Sequence, residues 1–234
     1  MDMKKLIFLL LCSIYVATAI AQSIDIQKIK IKAEQGDAES QYSLGICYDN
    51  GQGVTKNLVE AVKWYRKAAE QGHAKAQLNL GHCYTFGNGV TKNYTEAVKW
   101  FQKSAEQGHA KAQYNLGVSY MAGLGVTKDT VRAIKWIQKA AELGHAKAQY
   151  KLSICYALGE GVTKDKKQSF AWMLKAAEQG YAEAQYNLGV DYYENDNDEE
   201  KAIMWLKKAA DNGFEGATEY LQLVIGHFEN EEDE

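Results

Sequence analysis

The chain has 234 residues, 46% of them hydrophobic, with 27 basic and 30 acidic side chains and a formal charge of −3. That length is enough to bury a large core, and a nearly balanced, slightly acidic surface offers no basic patch for a nucleic-acid backbone.

In chain order, the first segment reads as a secretory leader. Lys4 and Lys5 precede an apolar run from Leu6 to Val16, and Ala19-Ile20-Ala21 has the small-x-small pattern that a signal peptidase reads. The run is shorter than the ~20 residues a membrane-spanning helix needs. Residues 1–21 are therefore expected to be a cleaved signal peptide, with a mature start near Gln22 and a secreted or periplasmic destination. Leu10 and Leu11 stand where small residues would precede a lipidated cysteine, which argues against anchoring through Cys12. Residues 22–36 are expected to form an N-terminal capping helix, with Ile26, Ile29 and Ala33 on one side and Lys28, Lys30 and Lys32 on the other.

From residue 37 the sequence repeats itself. Gly72, Gly108, Gly144 and Gly180 follow one another at 36 residues, and Trp64, Trp100, Trp136 and Trp172 keep the same step. Trp205 arrives three residues early, because the loop near Asn195 to Asp198 is shorter. Such a period marks a repeat architecture, here with repeats 37–72, 73–108, 109–144, 145–180 and 181–213. In the third repeat Ala110, Ala112, Leu116, Gly117 and Tyr120 recur at helical steps, and Ala133, Ile134, Ile137, Ala140 and Ala141 do so in a second helix. Between them Gly123-Leu124-Gly125-Val126 is a glycine turn. Asn57, Asn93, Asp129 and Asp165 stand where helix N-caps belong, and the closing glycines stand where helices stop. Each repeat thus reads as helix, turn, helix, stop. Residues 214–227 read as a C-terminal capping helix, and 228–234 as a solvated acidic tail.

Ala-Lys-Ala-Gln-Tyr-Asn-Leu-Gly at 110–117, the Gly-x-Gly-Val loops, and Ala-x-x-Trp followed by Lys-Ala-Ala-Glu-x-Gly resemble the Sel-1-like repeat, a 36-residue relative of the tetratricopeptide repeat. The resemblance covers roughly 38–213. It departs after Gly-Val, where the family usually has proline and this chain has Thr55, Thr91, Thr127 and Thr163. It implies an all-α fold: an α-α superhelix, or solenoid, of about five helix-turn-helix repeats with terminal capping helices.

Little in the sequence points to catalysis. His73, His109 and His145 lie one repeat apart, too far to share a metal, and belong in turns. The glycine loops lack the spacing and preceding strand of a phosphate cradle, and Asp196, Asn197 and Asp198 lack a calcium-loop pattern. No nucleophile and base can be paired. Cys47, Cys83 and Cys155 occupy one position in successive first helices, beyond disulfide reach, so free thiols are expected. The tryptophans are expected in the core. No cofactor and no metal is expected.

By resemblance, positions 2, 5, 9, 12 and 13 of each first helix line a concave face that selects a partner. The candidate partner-binding residues are Lys75, Leu78, His82, Phe86, Lys111, Tyr114, Val118, Met121, Lys147, Tyr150, Ile154, Leu158, Glu183, Tyr186 and Tyr193. They form an apolar and aromatic floor with a row of lysines, suited to a peptide with apolar anchors and acidic groups. The expected function is a non-catalytic, monomeric scaffold or adaptor for a protein or peptide, with no nucleic acid and no membrane span in the mature chain. The alternative is a β-lactam-binding or hydrolysing member of the family's cysteine-rich exported branch, whose paired cysteines this chain lacks. A third reading is a self-associating envelope component.

Overall fold

The computed structural model describes residues 25–195 and 198–232. The expected leader, and Asp196 and Asn197, lie outside the described residues. Those residues form twelve helices and no strand. A first helix, α1, covers 25–34. It is followed by α2 (Ala38–Asn50), α3 (Leu58–Glu70), α4 (Ala74–Phe86), α5 (Tyr94–Glu106), α6 (Ala110–Ala122) and α7 (Thr130–Glu142). Then come α8 (Ala146–Leu158), α9 (Lys166–Glu178), α10 (Ala182–Glu194), α11 (Glu199–Asp211) and α12 (Ala217–Glu232).

The helix ends follow from local chemistry. A helix leaves its first N–H groups without partners, and the side chains of Asn57, Asn93, Asp129 and Asp165 accept from them as expected. Where α4 ends, Gly87 turns the chain at φ 77°, a conformation that costs a residue with a Cβ. Past Gly226 the sequence has neither glycine nor proline to stop a helix, and α12 continues beyond 227, the expected end of the closing helix, to Glu232.

The helices fall into two compact bodies, one ending at His109 and one starting at Ala110. In the first, α2 packs on α3, α3 on α4 and α4 on α5. Ile26 and Ala33 of α1 join Leu44 and Cys47 of α2 in one core cluster. In the second body every helix from α6 to α12 packs on its sequence neighbours.

Close approach within a pair rests on the small residue at the eighth position of the first helix. A Cβ on Gly45 would stand 2.5 Å from the Tyr65 ring, and one on Gly81 2.5 Å from the Phe101 ring. In the second body a Cβ on Gly117 would meet Ile137 Cγ1 at 2.6 Å and the Ala133 carbonyl oxygen at 2.9 Å. The bulky residue of the second helix fills the space that glycine leaves. The fourth repeat has Ser153 there, facing the equivalent of Ile137, which is a half-buried Met173.

The tryptophans divide. Trp100 and Trp205 are buried, whereas Trp64, Trp136 and Trp172 are only half-buried, against the expectation of a wholly internal ladder. One turn on, Lys67, Lys103, Lys139, Lys175 and Lys208 each hold an ammonium 4.1–4.5 Å from the tryptophan ring centre, over buried and half-buried rings alike. A cation over the indole covers the ring while keeping its own charge in water.

Two stability changes follow. Gly117→Ala forces its methyl against backbone as well as side chain and is expected to cost about 1–3 kcal/mol in urea unfolding. Trp100→Ala removes a buried ring and is expected to cost about 3–5 kcal/mol, with Trp136→Ala clearly below it in the same measurement.

Candidate functional site

The frame that presents the candidate site is a set of buried glutamines. At the fourth position of the first helix, Gln41 Nε2 donates to the Ala33 carbonyl of the preceding helix at 3.0 Å, and Gln77 to Ala69 at 3.0 Å. Gln149 and Gln185 do the same in the second body, to Ala141 at 3.1 Å and Ala177 at 2.9 Å. Their Oε1 atoms accept from Gln71, Gln107, Gln179 and Asn212, which follow the second helices of their own repeats, at 2.6–2.9 Å. Each rung adds a second bond to a helix-end carbonyl that also accepts from the N–H of the closing glycine. Leu143, which carries no amide, takes the donor's place in the third repeat.

With that side of the helix turned inward, positions 2, 5, 9 and 12 face away from it. In the first body Lys75 and Phe86 of α4 are exposed, His82 is half-buried and Leu78 is buried among its neighbours. The His82 ring lies 6.0 Å from Phe86 and 5.4 Å from Phe101. In the second body Lys111, Lys147 and Leu158 are exposed. Tyr114, Val118, Met121, Tyr150, Ile154, Glu183, Tyr186 and Tyr193 are half-buried. Phe86 and Leu158, at position 13 of α4 and α8, are 65% and 70% exposed.

Position 5 has a second role that sequence spacing does not reveal. Its ring packs on the residue that opens the next repeat: Tyr42 on His73 at 4.6 Å, Tyr114 on His145 at 5.0 Å and Tyr150 on Tyr181 at 5.2 Å. Tyr186 stacks on Phe214 at 4.6 Å. One ring face is used between repeats, and the remaining surface is available to a partner. Two of the histidines are N-caps: His73 Nδ1 accepts from the Ala76 N–H at 3.1 Å and His145 Nδ1 from the Ala148 N–H at 3.2 Å. Among the described residues no group of three metal-ligating side chains comes together.

Burial dominates the site's titration behaviour. It raises the Tyr114 and Tyr150 phenols and, with Glu183 beside it, pushes Tyr181 to about 12. Cys47, Cys83 and Cys155 are buried free thiols, as expected. Burial first, and then nearby Asp49, pushes Cys83 to about 12, while burial pushes Cys155 to about 11. A thiol held protonated is a poor nucleophile. These side chains pack; they are not poised to react.

An all-α array of paired helices, linked by glutamine rungs and showing a variable first-helix face, is a repeat protein of the kind that mediates protein–protein contacts. The Sel1 repeat family pattern matches at 38–73, 74–109, 110–145, 146–181 and 182–214, and the chain belongs to that family. A Sel1 repeat protein from Oxalobacter formigenes is 41% identical, with 78% of this chain and 76% of that one covered and a TM-score of 0.74. The protective antigen c5321 of uropathogenic Escherichia coli is 31% identical over 88% of this chain and 52% of its own, with a TM-score of 0.65. The secretory immunoglobulin A-binding protein EsiB of Escherichia coli is 43% identical over 67 residues, 28% of this chain and 14% of that protein. The chain therefore spans only a small part of the curated relatives it matches.

The thiols are expected to stay unmodified by an aromatic disulfide reagent in the native protein and to react stoichiometrically in denaturant. The raised thiols and phenols ionise first in the unfolded chain, near their ordinary values of 9.0 and 10.0. Their contribution to stability is thus full below pH 9 and is lost as pH rises through 12. A melting temperature level between about pH 6 and 9 and falling above pH 9 is the expected profile.

Proposed function

We propose that the protein is an exported, non-catalytic scaffold that binds a protein or peptide along its first-helix face, the inner face in superhelices of this family. The observation that carries the reading is the pair Phe86 and Leu158. Both are large apolar side chains left mostly in water at the same repeat position, one in each body. Leaving such residues exposed forgoes about 1.5–3 kcal/mol each, and a partner that buries them recovers it. Lys75, Lys111 and Lys147, at position 2 of successive first helices, are exposed and supply the polar rim. Tyr114, Tyr150 and Tyr186, braced by their stacking contacts, present rings that lose little freedom on binding. EsiB, a relative named for binding secretory immunoglobulin A, agrees with a binding rather than a catalytic role. The leader-like residues 1–21 support export.

Affinity capture from a cell-envelope extract tests the reading, with the parent protein run beside Leu158→Ser and Lys111→Glu/Lys147→Glu variants. A protein retained by the parent and weakened at least about tenfold in variants of unchanged melting temperature is the expected result. Equal retention by all three places the binding surface elsewhere.

A further inference from the structure

The shortened loop of the fifth repeat opens a notch in the fourth. In full repeats the Gly-x-Gly loop lies on the start of the preceding repeat's second helix. A Cβ on Gly89 would stand 2.1 Å from the Leu58 carbonyl oxygen in the first body; one on Gly161 would stand 2.9 Å from Thr130 and Ile134 in the second. The residues beneath are buried: Ala61 and Val62 in α3, Ala133 and Ile134 in α7. Between α10 and α11 the sequence has no Gly-x-Gly-Val. Ser169 and Phe170, the counterparts in α9, are only half-buried.

A cavity of about 740 Å³ results, lined by Phe170 and Met173 and bordered by Lys164, Lys166, Lys167, Asp191 and Asn195. Asn195 donates to the Asp191 carboxylate at 2.8 Å. The three lysines are exposed and, among the described residues, take part in none of the ion pairs. Two of them, Lys166 and Lys167, occupy the first turn of α9, where the helix dipole favours acidic groups. The equivalent first turns of α3 and α5 carry Glu60 and Glu96. The local charge is therefore unfavourable to the helix itself and favourable to an anionic ligand with an apolar anchor.

The chain contains such a segment. Residues 228–234 read Phe-Glu-Asn-Glu-Glu-Asp-Glu, one aromatic and five acidic residues. In its own chain α12 packs on α11, so the fifth repeat stands between it and α9. We propose that the notch receives the 228–234 segment of a second copy, with Phe228 against Phe170 and Met173 and the carboxylates among the lysines. Reciprocal exchange closes a two-fold dimer. Ala157, at position 12 of α8, also lines the cavity, so the notch adjoins the end of the first-helix face, but neither reading depends on the other.

Sedimentation velocity over a concentration series tests it, at low salt and at about 1 M salt, where charges more than ~3 Å apart are screened. Three proteins accompany the parent: Lys164→Glu/Lys166→Glu/Lys167→Glu, Glu231→Lys/Glu232→Lys/Asp233→Lys, and the combination of both sets. The expected result is a parent dimer weakened by salt, each charge reversal weakening it at least about tenfold, and the combination restoring it. Melting temperatures at or above the parent's confirm that the variants are folded, since Glu in the first turn of α9 suits the helix dipole. A parent that stays monomeric at every concentration overturns the proposal, which also excludes occupancy by a chain's own tail. So does a dimer that survives both reversals, or a combination that fails to re-form it.

Discussion

A buried amide between successive repeats is the constraint on which the rest of this structure depends. Gln41, Gln77, Gln149 and Gln185 each give an N–H to the last turn of the preceding helix pair, 8 residues back, and take one from the end of their own, 27 or 30 residues on. A half-satisfied buried amide is costly, so both bonds form only when two helix pairs meet at one angle and one translation. The glycine at position 8 does the equivalent within a pair, by allowing one close approach and leaving no room for another. Together they set which side of every first helix turns outward.

Frame and surface are thereby assigned to different positions of the same helix. Positions 3, 4 and 7 are occupied by alanine or serine, glutamine and leucine in every repeat, while positions 2, 5, 9 and 12 vary. The division is not complete. Position 5 stacks on the first residue of the next repeat and still shows part of its ring, so a substitution there changes both stability and recognition. The fifth repeat shows the opposite economy: removing three loop residues leaves its own helices intact and uncovers those of its neighbour.

How much was legible in the sequence depends on range. The period, the helix pairs, the N-cap asparagines and aspartates and the stop glycines were readable because each is decided within a few residues. The outward positions were readable from helical spacing, yet Leu78 is buried where its counterparts Tyr114 and Tyr150 are half-exposed, since only its neighbours decide that. The glutamine rungs were visible as a repeated letter and silent as to partners. The half-exposed tryptophans were misjudged because helical spacing assigns a residue to a face and does not say how far its neighbours close over it. The notch had a signal, Ser169-Phe170 where other repeats have alanine and valine or isoleucine, but its cause is a deletion some 25 residues away.

The most direct measurement on this account is urea unfolding of Gln149→Leu beside Lys147→Ala, two neighbouring positions of α8 with opposite assignments. Removing the amide takes one side-chain bond from the Ala141 carbonyl, which keeps its bond from the Gly144 N–H, and turns the exposed Gln179 amide to water; a loss of roughly 1–3 kcal/mol is predicted. The outward lysine is predicted to change stability by less than about 0.5 kcal/mol. Equal stabilities for the two variants would contradict a frame held by its glutamines.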